Sequence, residues 1–255
     1  MSRVIAIANQ KGGVGKTTTA INLSASLAEA GKKVLVVDMD PQGNTSSGLA
    51  VNKYKIEKGV YEVLIGFCKA DEAMIKEQLP NLDILPSNVN LSGAEVELIN
   101  MDNNSYRLQV ALDEIKNRYD FVIIDCPPSL SLLTVNSLTA ADSVLVPIQC
   151  EYYALEGLSQ LLHTIELIKA RLNESLYIDG IVFTMYDSRT RLSEQVVENV
   201  KENVDQHVYK NIIPRDVRLA EAPSYGLPIN VYDSRSAGAQ AYRALAQEVI
   251  EHKIQ

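Results

Sequence analysis

The chain has no tryptophan, and only three cysteines and three histidines among its 255 residues. Cys68, Cys126 and Cys150 are odd in number and scattered, which excludes a disulfide framework and reads as reduced thiols used as small hydrophobes. His163, His207 and His252 stand alone, and no Cys/His spacing suggests a metal cage. No run approaches the roughly 20 apolar residues that cross a bilayer. Met1-Ser2-Arg3 leads straight into an apolar strand, so no signal peptide is expected and the setting reads as cytoplasmic. Repeats, low-complexity tracts and linkers are missing too, so residues 1–255 are read as a single domain. Positive charge is also short. Against 32 Asp and Glu there are 24 Lys and Arg, a formal net charge of −8 that excludes a surface coated in positive potential. Nucleic-acid contact would have to come from a local patch, or from two patches joined by association. The remaining composition, 46% hydrophobic and 22% charged, suits one large α/β core.

The most informative segment is Lys11-Gly12-Gly13-Val14-Gly15-Lys16-Thr17-Thr18, behind the apolar run Val4-Ile5-Ala6-Ile7-Ala8. Glycines let backbone N–H groups turn inward around a polyphosphate, because no Cβ blocks a positive φ or a close approach. Lys16 would reach the β/γ-phosphates, and Thr17 would place its hydroxyl on Mg²⁺. The helix opening at Thr17 would direct its positive end at the anion. The usual G-x-x-x-x-G-K-[ST] spacing wants glycine at position 10, where this chain has Gln10. It has instead a second lysine, Lys11, which cannot easily fold back onto the nucleotide of its own loop but could reach a nucleotide in a facing subunit.

Two further strands end in acids. Val34-Leu35-Val36-Val37-Asp38-Met39-Asp40 turns at Pro41-Gln42-Gly43-Asn44, and Phe121-Val122-Ile123-Ile124-Asp125 stops at Cys126-Pro127-Pro128. One such strand is commonplace, since Asp favours strand ends and turns. Two of them beside a strand that ends in a phosphate loop are not. In open parallel sheets ligands sit outside the carboxyl ends of the strands, which places Asp38, Asp40 and Asp125 around a Mg²⁺–phosphate complex.

Apolar strands alternate with helical segments throughout. That pattern predicts an α/β fold: a mostly parallel twisted β-sheet with helices on both faces. Helices are expected over 17–30, 60–65, 72–78, 92–100, 106–118, 130–140, 154–172, 192–204 and from Ala237. Strands are expected at 82–85, 121–125, 144–147, 181–185, 208–213 and 229–232, besides those ending near Ala8 and at Asp38, and 42–48 reads as a mobile loop.

On NQKGGVGKTT at 9–18, DMDPQGN at 38–44 and IIDCPPS at 123–129, the chain resembles the ParA/Soj-type ATPases. These are the chromosome-partitioning branch of the deviant Walker-A, MinD-like P-loop superfamily. The likeness continues through QCEYYALEGLSQLL at 149–162, TMYDSRT at 184–190 and IPRDVRLAEAPSYGLPI at 213–229. It implies a single P-loop NTPase domain that hydrolyses the β–γ bond of ATP with Mg²⁺. By this resemblance, residues 12–18 hold the phosphates, with Thr18 on the α-phosphate. Asp125 is the Walker-B acid that holds Mg²⁺ through a water, Asp38 shares that outer layer, and Asp40 orients the attacking water. Lys11 reaches across an ATP-sandwich homodimer to the partner's phosphates. Pro214 and Asp216 correspond to the loop that contacts adenine, although the family often has Asn where this chain has Asp216.

Arg189, Arg191, Arg215, Arg218, Arg235 and either Arg243 or Lys169 form a discontinuous set of cations. Read alone they are ordinary surface residues with Asp187, Asp216 and Glu221 nearby. The resemblance implies that Arg189 and Arg218 help the ATP-bound dimer bind double-stranded DNA without sequence preference, a phosphate-directed and salt-sensitive contact. It also implies a nucleoid location, release on hydrolysis stimulated by a ParB-type DNA-binding protein, and a role in positioning chromosome or plasmid origins. A replication initiator such as DnaA is a further partner that the likeness admits.

Four other readings compete. A MinD-like membrane ATPase needs a basic, amphipathic tail with bulky apolar anchors, whereas Ala237–Gln255 is Ala-rich and carries Glu248 and Glu251. An iron–sulfur ATPase needs two matching exposed cysteines. A metabolic P-loop kinase or ligase would turn over ATP only with a metabolite. An ATP-gated regulator of replication initiation or transcription would use the same switch for another listener. No helix-turn-helix extension precedes the phosphate loop, which is read as disfavouring operator-specific repression.

Overall fold

Four apolar runs form the middle of one sheet because nearly every residue in them is buried on whichever face it points to. They are β1 (Arg3–Ile7), β2 (Val34–Asp38), β5 (Phe121–Asp125) and β6 (Ser143–Gln149). With β3 (Ile75–Leu79), β4 (Leu82–Leu85) and β7 (Tyr177–Thr184) they make a seven-stranded sheet in the order β3-β4-β2-β5-β1-β6-β7. All pairs are parallel except β3 with β4. The computed structural model describes residues 2–151 and 154–252, so Tyr152 and Tyr153 of the 149–162 motif lie outside the described residues.

Strand alternation divides the apolar side chains between two cores. Val4 and Ala6 enter one, and Ile5 and Ile7 the other. On the second face the Lys16–Glu29 helix packs against the Ala237–Glu251 helix, which buries Ala239, Tyr242, Leu245, Ala246 and Val249. The apolar stripe of that last helix is therefore consumed by the domain. Among the described residues, no helix is long and apolar enough to cross a membrane.

Register decides what the carboxyl ends share. Asp125 lies opposite Ile7 on one side and Asp38 on the other, so two of the acids are neighbours at the exit of β1.

Four sequence expectations need correction. Residues 42–48 do not form a loose loop: Asn44–Gly48 is a short helix whose buried Thr45 and Ser46 bind Asp125 and Asp38. The helix expected at 72–78 is a turn of helix at Ala70–Ala73 followed by edge strand β3. Its Lys, Glu, Gln and Leu favour helix, but antiparallel pairing with β4 outweighs that propensity. The strand expected at 208–213 is reduced to isolated bridges, Ile181 with Val208 and Tyr186 with Pro214. Between them the N–H groups of Lys210 and Asn211 turn to the Glu248 carboxylate, each at 2.9 Å, and leave the ladder. Ile229–Tyr232 is a single helical turn rather than a strand, because Pro228 precedes it and the Asn22 side chain takes the Ile229 N–H at 2.7 Å.

Candidate functional site

The loop between β1 and the Lys16–Glu29 helix is pinned at its entrance and its crown. Asn9 donates its side-chain amide to the Pro147 carbonyl at 2.8 Å and accepts the Lys11 N–H at 3.0 Å. Thr184, at the end of β7, donates its hydroxyl to the Val14 carbonyl at 2.8 Å. Gly13 and Gly15 adopt φ of +76° and +88°, which side chains with a Cβ resist. No side chain caps the helix that starts at Lys16, so its first N–H groups remain available to an anion.

The two lysines of this loop part company. Lys16 is nearly buried and folds back, its Nζ donating to the Lys11 carbonyl at 3.0 Å. Burial lowers its pKa, partly offset by Asp125, Cys126 and Asp40. Lys11 instead pairs through Nζ with Glu151 at 2.7 Å, a carboxylate outside its own loop, on the chain leaving β6. Gln149 holds the other oxygen of Glu151 at 2.5 Å.

Beside Lys16 the acids form one buried group. Thr17 Oγ1 donates to Asp125 Oδ2 at 2.8 Å, and Thr45 Oγ1 donates to the same oxygen at 2.7 Å. Asp38 accepts the Ser46 N–H at 2.8 Å, the Ser46 hydroxyl at 2.7 Å and the Asp40 N–H at 3.2 Å. Burial, then the proximity of Asp38, pushes Asp125 up; burial likewise pushes Asp38 up against its three donors. Asp40 accepts the Gln42 N–H on Oδ1 at 2.9 Å. Asp125 Oδ1 is buried without a hydrogen-bond partner. A buried carboxylate oxygen lacking a donor, next to a threonine hydroxyl and a phosphate-type loop, is a hard oxygen set that suits a hydrated Mg²⁺.

A cavity of about 310 Å³ opens beside Gly15 and Thr18, walled by Thr184, Met185, Pro214 and Leu219. Asp216 borders it, but its carboxylate already accepts the Arg218 N–H at 3.0 Å and the Gly238 N–H at 2.8 Å. Pro214 and Asp216 thus line the same cavity as Gly15 and Thr18, the second with its oxygens engaged by backbone.

Arg189 and Arg218 carry their guanidinium groups on the surface, Arg218 next to the cavity residues Val217 and Leu219. Arg189 is 84% exposed and grips Asp187 with two nitrogens at 2.8 and 2.7 Å, which pulls the Asp187 carboxyl down to about 2. Arg218 lies 3.8 Å from Glu221 and 3.9 Å from Asp233. Cys126 and Cys150 are buried, and burial pushes their thiols up to about 12 and about 11.

Sequence reasoning missed Asn9, Thr45, Ser46 and Glu151. Thr45 and Ser46 follow Asp40-Pro41-Gln42-Gly43-Asn44, and hydroxyls just past a turn between acids were the available signal. Glu151 comes from just beyond β6, far along the chain, and nothing local marks it.

Comparison with known proteins finds similar chains and folds. A family profile described as an AAA domain (AAA_31) matches residues 2–178. The sporulation initiation inhibitor protein Soj of Bacillus subtilis is 54% identical over 249 residues, covering 98% of each chain. The chromosome partitioning protein ParA of Myxococcus xanthus is 53% identical over 251 residues, covering 98% of this chain and 89% of its own. A Mycobacterium smegmatis structure, named as cobyrinic acid a,c-diamide synthase with bound ADP and magnesium, superposes with a TM-score of 0.87. It is 40% identical and covers 99% of this chain and 95% of its own.

Proposed function

Because the chain belongs to the ParA/Soj family of chromosome-partitioning ATPases, we propose that ATP and Mg²⁺ drive it into a sandwich dimer that holds DNA and lets go on hydrolysis. Phosphoryl transfer to water depends on positioning and charge stabilisation, and the residues divide that work. Lys16 and the N–H groups of Gly12–Thr18 hold the phosphates. Thr17 and Asp125 hold Mg²⁺, which neutralises developing phosphate charge when bound, and Asp38 fixes the loop behind them. Asp40 orients the attacking water. Lys11 leaves Glu151 and completes the partner's site, so turnover waits for dimerisation. The cavity beside Thr18 takes the base, with Pro214 and the loop backbone as its wall.

One observation carries this reading. Two lysines five residues apart on one phosphate loop point to different places, Lys16 inward and Lys11 to a carboxylate outside the loop. A cation presented that way serves a neighbour better than its own nucleotide.

The dimer would join two sets of Arg189 and Arg218, and the doubled footprint raises affinity for a polyanion by effective concentration. A ParB-type DNA-binding protein is the proposed stimulator of hydrolysis and release, and the nucleoid the proposed location. A replication initiator such as DnaA remains a secondary partner of the same switch. The metabolic alternative rests on the one name shared by three Mycobacterium smegmatis structures at 39–40% identity. Relatives at 53–54% identity over nearly the whole chain carry partitioning and sporulation names, and the higher identity favours the DNA-linked reading. Gel filtration with multi-angle scattering tests it. Monomer is expected with ADP, and dimer with ATP or a slowly hydrolysed analogue, with DNA retained only by the dimer. A chain that stays monomeric at saturating analogue refutes the proposal.

A further inference from the structure

Ser87 takes no part in any role assigned above, yet it is 1% exposed and touches the catalytic loop through three of its atoms. It stands two residues beyond β4. In the parallel register Leu85 lies opposite Val37, so the chain leaving β4 emerges alongside Met39 and Asp40 as they leave β2. The Ser87 hydroxyl donates to the Asp40 carbonyl at 2.9 Å. Its N–H donates to Ser46 Oγ at 2.9 Å. Its carbonyl oxygen lies 2.8 Å from where a Cβ on Gly43 would sit, so the Asp40–Gly43 turn rests directly on it.

These contacts close a ring. Ser46 binds Asp38 through both its N–H and its hydroxyl, Asp38 takes the Asp40 N–H, and Asp40 returns to Ser87. All four members are nine-tenths or more buried. Asp40 is thereby held by its N–H on one side and its carbonyl on the other, while Pro41 restricts its backbone to extended conformations. The Gln42 N–H takes Oδ1, so Oδ2 is the oxygen left to face a water.

We propose that Ser87 is a positioning residue for ATP hydrolysis: it fixes the main chain of Asp40 and so aims that carboxylate. The inference rests on the reading of Asp40 as the water-orienting acid. Ser87 reaches neither the phosphate loop nor the dimer-directed Lys11. Its loss should act on the chemical step and spare nucleotide binding, because the Gly43 N–H still reaches the Asp40 carbonyl at 2.9 Å and keeps the turn together.

The test is a double-mutant cycle on the full chain, with Mg²⁺-dependent ATP turnover, KM for ATP and analogue-driven dimerisation as readouts. Ser87→Ala should lower kcat roughly three- to tenfold, the effect of one buried hydrogen bond, with KM and dimerisation unchanged. In an Asp40→Ala background the same substitution should change nothing further, since no carboxylate remains to be aimed. Gly43→Ala provides an independent probe, because it pushes the turn off Ser87 while keeping the hydroxyl, and it should also lower kcat. An equal loss in both backgrounds, a loss confined to KM, or an unchanged kcat for Ser87→Ala overturns the proposal while leaving Asp40 in its role. Normal turnover by Asp40→Ala alone removes Asp40 from that role and the proposal with it.

Discussion

Replacing Thr45 with valine isolates the electrostatics of the buried acids. The two side chains differ by a hydroxyl for a methyl, so volume is nearly kept and the change is chiefly one hydrogen bond. That bond is the 2.7 Å contact from Thr45 Oγ1 to Asp125 Oδ2, both residues fully buried. Burial first, and Asp38 second, lift Asp125 from an ordinary 3.8, while Thr45 and Thr17 pull it back by favouring the carboxylate. Between an unfolded value near 3.8 and the raised folded one, the unfolded chain has released a proton that the folded chain keeps. Stability from this group is therefore present at low pH and lost as pH climbs through the folded pKa. Thr45→Val lifts that pKa further and extends the loss upward. At pH 5.5, with Asp125 largely protonated, the cost should be that of a neutral hydrogen bond, about 0.5–1.5 kcal/mol. At pH 8.5 it should grow to about 1.5–3 kcal/mol, as for a bond to a charged group. Urea denaturation of the nucleotide-free protein at both values measures the difference. A cost below about 0.5 kcal/mol at pH 8.5, or one that does not grow with pH, refutes the assignment of this hydroxyl to a carboxylate.

Lys16→Ala should abolish Mg²⁺-dependent ATP binding in calorimetry, and tight binding by that variant would contradict the proposed phosphate site. Arg189→Glu should lose DNA retention by the ATP-bound dimer while keeping ATP affinity. Its residual binding should show a shallower salt dependence, and unchanged DNA retention would return Arg189 to a surface ion pair with Asp187. Leu245→Ala, in the helix packed on Lys16–Glu29, should cost about 2–5 kcal/mol of stability in urea; a loss under about 1 kcal/mol would mean the two helices are not tightly joined.

The sequence showed the centre of this fold better than its edges, for a physical reason. β1, β2 and β5 are short runs buried on both faces, and each stops at an acid or a glycine-rich turn, so composition alone marks them. The phosphate loop is local too: Lys11, Lys16 and Thr17 follow β1 directly, and Asp38 and Asp125 close β2 and β5. Edge strand β3 has no such mark, because Lys76, Glu77 and Gln78 are half solvent-facing and its pairing partner is what makes it a strand. Strand β7 begins at Tyr177, earlier than the 181 expected. Asp179 looks like a surface residue in the sequence, but Arg3 neutralises it at 2.6 Å and Tyr209 donates to it, so it can be buried in the sheet. The site's supporting residues were hidden likewise. Ser87 and Glu151 lie 47 and 140 positions from the groups they hold, and only the folded register brings them together.

The opposed pKa shifts at the site follow from one cause. Burial disfavours charge of either sign, so it raises Asp38 and Asp125 and lowers Lys16 in the same site. Asp38, Asp40 and Asp125 would repel one another if all were ionised, and the chain relieves this with hydroxyl and amide donors. Thr17, Thr45 and Ser46 supply those donors, and two of the three come from the short Asn44–Gly48 helix that also follows Asp40. Magnesium and a polyphosphate entering such a site would act against both shifts at once, favouring the carboxylate of Asp125 and the ammonium of Lys16. Under the role proposed for Asp40, the buried hydrogen bonds among Asp38, Asp40, Ser46 and Ser87 would link nucleotide binding to the aiming of its carboxylate.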